Sequence, residues 1–266
     1  MGACLRPAPP RAKLARVLEP LRRVTATRYV APLREGGSLP GLLEADDDGM
    51  YVTKFSGAGQ GEGALVAEVL AGELARAIGL PVPDLVVIDV PAALGHAEPD
   101  PEIQELIAAS PGPNLGMDFL PGALAFTPPI DSALAADVVW FDTFVTNVDR
   151  THRNPNLLLW GGRTWLIDHG AAFFRQHGPR PLASTAHEGV PMLAEHVLLG
   201  LAGSIRDADE RLASRALAAA GSAVALVPDV WLGANPASRR GDLAAFLTSR
   251  LAAPRGFVAE IEQARG

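Results

Sequence analysis

The run FVTNVDRTHRNPNLLLWGGRTWLIDHGAAFF, residues 144–174, sets Asp149, Asn154, Asn156 and Asp168 within an otherwise apolar stretch. The loop-forming NVDRTHRNPN precedes apolar LLLW, a Gly161-Gly162 pair and TWLID, the pattern of a hairpin with a two-residue turn. A hairpin brings the chain back to its starting end, so Asp149 and Asp168 are expected to meet there, with Asn154 or Asn156 between them. Two carboxylates and an amide oxygen are hard oxygen donors, a set suited to Mg²⁺ shared with water and substrate phosphates. Any one of these residues alone would more often cap a turn through backbone N–H groups.

Elements able to position this cluster can be read on both sides of it. TRYVAPL and GLLEAD flank the turn-forming REGGSLP, and GMYVTKF alternates as a strand, which predicts a small antiparallel sheet. After the Gly-rich SGAGQGEG, residues 64–78 have helical spacing, with Gly79 and Pro81 as the stop signal. LVVIDV returns as a strand, and GHAEPDPEIQELIAASPGPN is expected as a surface excursion with a short helix. The connector LGMDFLPGA marks a lobe boundary. Residues 1–24 form a tail or short helix, 25–118 a β-rich lobe with one helix, and 119–266 a helical lobe, an α+β chain. In DSALAADVVWFDTFV, Asp131 and Ser132 are capping candidates, and Trp140 and Phe144, four apart, share one face of a buried helix. Helices are expected from about residue 190, with breaks at VPDVWLGANP and APRG. There is no internal repeat.

With 266 residues, 48% of them hydrophobic, the chain can bury a sizeable core. Its net charge of -7 and lack of a basic run exclude a nucleic-acid backbone as partner. The single cysteine, Cys4, fits a reducing compartment without structural disulfides. The most apolar windows carry charges and are too short to cross a bilayer, and the N-terminus lacks a signal-peptide apolar region. A cytoplasmic protein without integral membrane insertion is the expectation.

Asp149, Asn154 five residues on, an apolar strand, a turn and LIDHG follow the order used by protein-kinase-type phosphotransferases. The segment resembles the catalytic region of the HipA-like kinases and, more distantly, of the phosphatidylinositol kinases, in which a DR-H style loop replaces HRD. The likeness extends over about residues 25–190, to Lys54 ending MYVTK and to EVLAGELARAIGLPVP, similar to the family's helix and the turn leaving it. It implies a two-lobed kinase-like fold, ATP and Mg²⁺ as cofactors, and transfer of the γ-phosphoryl group to a hydroxyl. By that resemblance Lys54 would hold the α and β phosphates, Asp149 would orient or deprotonate the acceptor, and Asn154 and Asp168 would bind Mg²⁺. Asn156 competes with Asn154 for the metal. REGGSLPG, with Gly36, Gly37 and Ser38, lies where the phosphate-covering loop belongs, and Asp118, Phe119 and Leu120 would form the adenine hinge. Alignment to the family's helix selects Glu68 as the partner of Lys54. At 100° per residue, however, Leu65, Val66, Val69, Leu70 and Leu74 form one broad apolar face with Glu68 opposite its centre and Glu73 in its middle, so Glu73 stays a rival.

The sequence also departs from the pattern. Val148 precedes Asp149, so the arginine that clasps a phosphorylated activation loop in many kinases is absent. His169 stands where an aromatic is usual. His152, His169 and His177 lack the tight spacing of zinc ligands and read as loop residues. The expected acceptor is a Ser or Thr of a protein, with a small molecule or lipid as the alternative; the missing basic patch counts against a lipid surface. A nucleotide-binding pseudokinase is the reading of a different class, and retention of Lys54 with all three catalytic-loop positions favours the enzyme. A metal-dependent hydrolase would leave Lys54 without a role.

Overall fold

The computed structural model describes residues 18–33, 39–59 and 61–266. Gly36, Gly37 and Ser38 lie outside the described residues. Strands β1 (Arg22–Pro32), β2 (Gly41–Ala45), β3 (Met50–Lys54), β4 (Leu85–Val90) and β5 (Gly112–Asp118) close into a barrel in the order β1-β2-β3-β5-β4. Every seam is antiparallel except that of β1 with β4. The length of β1 makes closure possible: Arg22 to Thr25 pairs with Val86 to Asp89, and its second half pairs with β2 through two register shifts that bend the strand. The residues ahead of the expected strand thus turn an antiparallel sheet into a barrel without open edges.

Between β3 and β4 runs α1 (Gly61–Ile78), and between β4 and β5 lies α2 (Pro101–Ala108). The expected surface excursion is partly core, because α2 drives Ile103 and Ile107 into the barrel beside Val24, Leu43, Tyr51 and Ile88. Asp100 caps it by accepting from Glu102 N at 3.0 Å.

Beyond the barrel, the short β6 (Leu124–Ala125), β7 (Leu157–Trp160) and β8 (Arg163–Leu166) form a three-stranded sheet. Gly161 and Gly162 turn between β7 and β8, both with positive φ, which only glycine adopts without strain. The helical body comprises α3 (Ser132–Phe144), α4 (Ile205–Leu226), α5 (Pro236–Leu251) and α6 (Gly256–Arg265). Asp131 caps α3 through Leu134 N at 2.9 Å, and the Trp140 and Phe144 rings lie 5.4 Å apart in the core. Helix resumes only at Ile205; the stretch from Phe174 to Leu201 is a chain of 3₁₀ turns. Among the described residues, no helix is long and apolar enough to cross a membrane.

Helix α1 packs between the helical body and the outer face of the barrel. Leu65, Val69, Leu70 and Leu74 share one apolar cluster with α3 and α4 and with Leu85, Val87, Leu115 and Met117 of β4 and β5, whereas the barrel interior has its own. Arg215 on α4 donates to Ile78 O at 2.9 Å, fastening the end of α1.

Candidate active site

Three elements converge on Lys54 at the end of β3. Its Nζ pairs with Glu68 Oε1 of α1 and lies 2.6 Å from Asp168 Oδ1, just beyond β8. The lysine is almost wholly buried and Glu68 is inaccessible, so this is not a solvated strand-edge charge. Burial disfavours the ammonium form, but Glu68 and Asp168 outweigh it and raise Lys54 above its ordinary value. Burial likewise opposes ionisation of Asp168, yet Lys54 holds it at about 2, so the carboxylate is charged at neutral pH. For Glu68, complete burial pushes the pKa up against the pull of Lys54.

The choice between two glutamates is explained by the setting of α1. A helix enclosed on nearly every side has no polar face to assign, so the centre of its apolar stripe says little about where a carboxylate can be buried. Glu68 reaches Lys54, while Glu73 lies 3.5 Å from Arg76, which also pairs with Asp84.

At the same open end of the hairpin, Asn154 Nδ2 donates to Asp149 Oδ2 at 2.7 Å. Asn156 Nδ2 lies 3.4 Å from both the carbonyl and Oδ2 of Asp149. Asn154 is exposed, whereas Asn156 is buried and its carbonyl accepts from Ile167 N at 3.0 Å, next to Asp168. Thr146, Asn156, Asp168 and Phe173 all have φ near +50°, a clustering of left-handed non-glycine residues that marks sites held by their surroundings. Gly170 keeps the Lys54 group uncovered: a β-carbon there would stand 3.4 Å from Glu68 Oε1 and 3.5 Å from Lys54 Nζ. An ionised carboxylate with asparagine and aspartate oxygens nearby, in an uncrowded setting, is a donor set that fits Mg²⁺.

The sequence did not mark the buried groups underneath. Arg150 is fully enclosed and pairs with Asp142 of α3, which also accepts from Asn147 and contacts His196. Burial would raise Asp142, but Arg150 and His196 hold it well below the usual carboxylate range. An arginine beside a catalytic-loop aspartate reads as a surface cation; only the apolar residues of α3 around Asp142 hinted that a buried acid needed a partner. His169 is also fully buried, with both ring nitrogens lacking hydrogen-bond partners and its ring set edge-on to Phe141 with centroids 6.2 Å apart.

In the connector, Asp118 N donates to Asp84 O at 2.8 Å and Phe119 N to Met50 O at 2.9 Å. Those two N–H groups are committed within the protein, so Leu120 N–H is the remaining donor of the three expected hinge residues. The segment after Gly170 is tied from below: Asp242 accepts from Leu182 N and Ala183 N, Arg250 donates to Ala186 O and Thr143 O, and Glu260 accepts from Val190 N.

Residues 27–251 match the family model described as HipA-like kinase. The chain belongs to the HipA-like kinase family. The crystal structure of the Helicobacter pylori proinflammatory kinase CtkA is similar to this HipA-like chain with a TM-score of 0.57 and 12% identity, covering 91% of this chain and 99% of that one. At that identity the likeness shows the fold, a two-lobed kinase-like architecture with the barrel as small lobe and the helical body as large lobe. No curated protein matches the chain.

Proposed function

We propose that this HipA-like kinase transfers the γ-phosphoryl group of ATP, with Mg²⁺, to a hydroxyl, with a protein Ser or Thr as the acceptor. The observation that supports the reading best is the joining of Lys54, Glu68 and Asp168 from three elements beside the Asp149 cluster. Phosphoryl transfer needs little covalent help; positioning and charge neutralisation supply most of the catalysis.

In this mechanism Lys54, oriented by Glu68, turns its ammonium toward the α and β phosphates. Leu120 N–H serves the adenine edge. Asp168 and Asn156 would hold Mg²⁺, which when bound neutralises the phosphates. Asp149 accepts a hydrogen bond from the acceptor hydroxyl and takes its proton as the oxygen attacks the γ-phosphorus, a contribution of about 10² to 10⁴ in rate. Asn154 fixes the carboxylate by donating to Oδ2, leaving Oδ1 for the hydroxyl.

Asp149→Ala removes the acceptor-orienting carboxylate but not the nucleotide groups. Calorimetry should show ATP·Mg²⁺ binding within about threefold of wild type, while transfer from γ-labelled ATP to lysate proteins falls by about 10² or more. Wild-type protein that labels no acceptor and releases no phosphate above the Asp149→Ala background would sink the enzyme and leave a nucleotide-binding module.

A further inference from the structure

Asp149, Asn156 and Asp168 lie at three separate points of the hairpin region, and a single side chain underlies all of them. Arg150 follows Asp149 directly, and its Nη1 lies 2.5 Å from Asn156 O and 3.4 Å from Ile167 O, the carbonyl preceding Asp168. It also lies 3.4 Å from Pro155 O. The other side of the guanidinium faces Asp142, with Nε 2.5 Å from Oδ2 and Nη2 3.4 Å from Oδ1.

The loop beyond the DHG segment is tied to the same pair. His196 Nε2 lies 3.1 Å from Asp142 Oδ2, while its Nδ1 accepts from Leu198 N at 3.1 Å. Since Nδ1 accepts, Nε2 carries the proton and donates to Asp142. The backbones join as well: Thr151 bridges to His196, and Val197 N donates to Arg150 O at 3.0 Å.

A fully buried ion pair is a poor device for stability alone, because desolvation offsets its attraction and well-packed apolar residues often do as well. What apolar residues cannot do is hold a carboxylate through Nε and Nη2 on one side of a rigid planar fork while its Nη1 arm meets carbonyls of two segments. We propose that Arg150, fixed by Asp142 and His196, is a positioning residue that sets the carboxylate of Asp149 against Asn156 and Asp168. The inference rests on the phosphotransferase reading above. Without the fork, residues 149, 156 and 168 keep their chemistry and lose their mutual register, and a misplacement of about 1 Å can cost about 10²-fold in rate.

The test uses the full chain with γ-labelled ATP and dephosphorylated casein, counting label in casein and phosphate released to water, normalised to nucleotide sites counted by calorimetry. Arg150→Lys keeps a cation beside Asp142 but lacks the planar fork that engages Asp142 and the two carbonyls at once. Its kcat per site is expected to fall about 10²-fold, with KM for ATP within about threefold and the Mg²⁺ concentration for half-maximal rate raised several-fold. A role confined to stability would lower the melting temperature and the number of sites while leaving kcat per site and the Mg²⁺ midpoint unchanged, and that result overturns the proposal.

If Arg150→Lys does not fold, His196→Gln and His196→Ala decide. Glutamine can still donate to Asp142 and should hold kcat per site within about threefold of wild type, whereas alanine should lose about tenfold. Equal losses in both, or none in either, overturn the proposal. Absence of Asp149-dependent turnover in the wild type is a separate result, which overturns the phosphotransferase reading itself and this inference with it.

Discussion

Glu68 Oε2 accepts the backbone N–H of His169 at 2.9 Å, while Oε1 of the same carboxylate pairs with Lys54. One buried residue of α1 thus fixes both the lysine and the backbone beside Asp168. Because α1 packs in one apolar cluster with α3 and α4 and with β4 and β5, the glutamate is held from both lobes.

Lys54→Met should therefore be costly to the fold as well as to triphosphate binding. Removing one member of a buried ion pair strands the other charge, at about 3–5 kcal/mol. Lys54→Met/Glu68→Gln should recover part of that loss, with a coupling of about 1–3 kcal/mol in urea unfolding. Strictly additive single effects would show that the pair is not energetically coupled.

His169 gives a pH-dependent stability that can be isolated. Burial and the neighbouring Arg150 lower it from 6.5 to about 3; Asp142 and Asp168 oppose the shift and Lys54 adds to it. Its Nδ1 is also 3.8 Å from Glu68 Oε2. In the folded protein the ring stays neutral over a range where the unfolded chain binds the proton. The unfolded state thus binds more protons between those values, so stability is full above 6.5 and declines as pH falls toward 3. Metal-free wild type should lose up to about 1.4 kcal/mol per pH unit between pH 6 and 4 from this group. His169→Phe removes the titration without breaking a hydrogen bond, since neither ring nitrogen has one. Its chemical-denaturation curves should change less over that interval; an unchanged slope would refute the assignment.

How much of this could be read in advance varied with the physics involved. Local patterns carried the hairpin, the capped helix at Asp131 and the strand ending at Lys54, because turn glycines, a cap and alternation are each set by neighbours in sequence. The barrel seam between β1 and β4 was not legible, since parallel pairing of residues some 64 apart leaves no local mark. Glu68 was selected by resemblance and obscured by periodicity, because enclosure of α1 on nearly all sides removes the contrast on which a helical stripe depends. Asp142, Arg150 and His196 went unmarked for a related reason. A charged residue shows its burial only when its partner, here 8 or 54 positions away, is known.

The segment following Gly170 should need no phosphate to be ordered. Its backbone is held by Asp242, Arg250 and Glu260 from α5 and α6, and Gln176 donates through Nε2 to Gly63 O of α1 at 3.0 Å while its Oε1 accepts from Arg239 Nη2 at 2.9 Å. These contacts supply from within the fold what a phosphate paired to arginine supplies in other kinases. Phosphatase treatment should leave the rate within about twofold, whereas Asp242→Ala, which frees two backbone N–H groups, should lower it by about tenfold. A large loss on phosphatase treatment would contradict this.

The two asparagines should separate by metal dependence. Asn156 is buried, is fixed through Arg150 and Ile167 N, and directs its amide N–H₂ toward Asp149, which leaves its oxygen for a cation beside Asp168. Asn154 is exposed and spends its amide N–H₂ on Asp149 Oδ2. Asn156→Ala should therefore raise the Mg²⁺ concentration needed for tight ATP binding, measured calorimetrically, by about tenfold or more. Asn154→Ala should shift it by less than about threefold and act chiefly on kcat, through a less well oriented Asp149. If the larger Mg²⁺ shift belongs to Asn154→Ala, the five-residue spacing from Asp149 governs the metal ligand, and the buried asparagine holds only the loop.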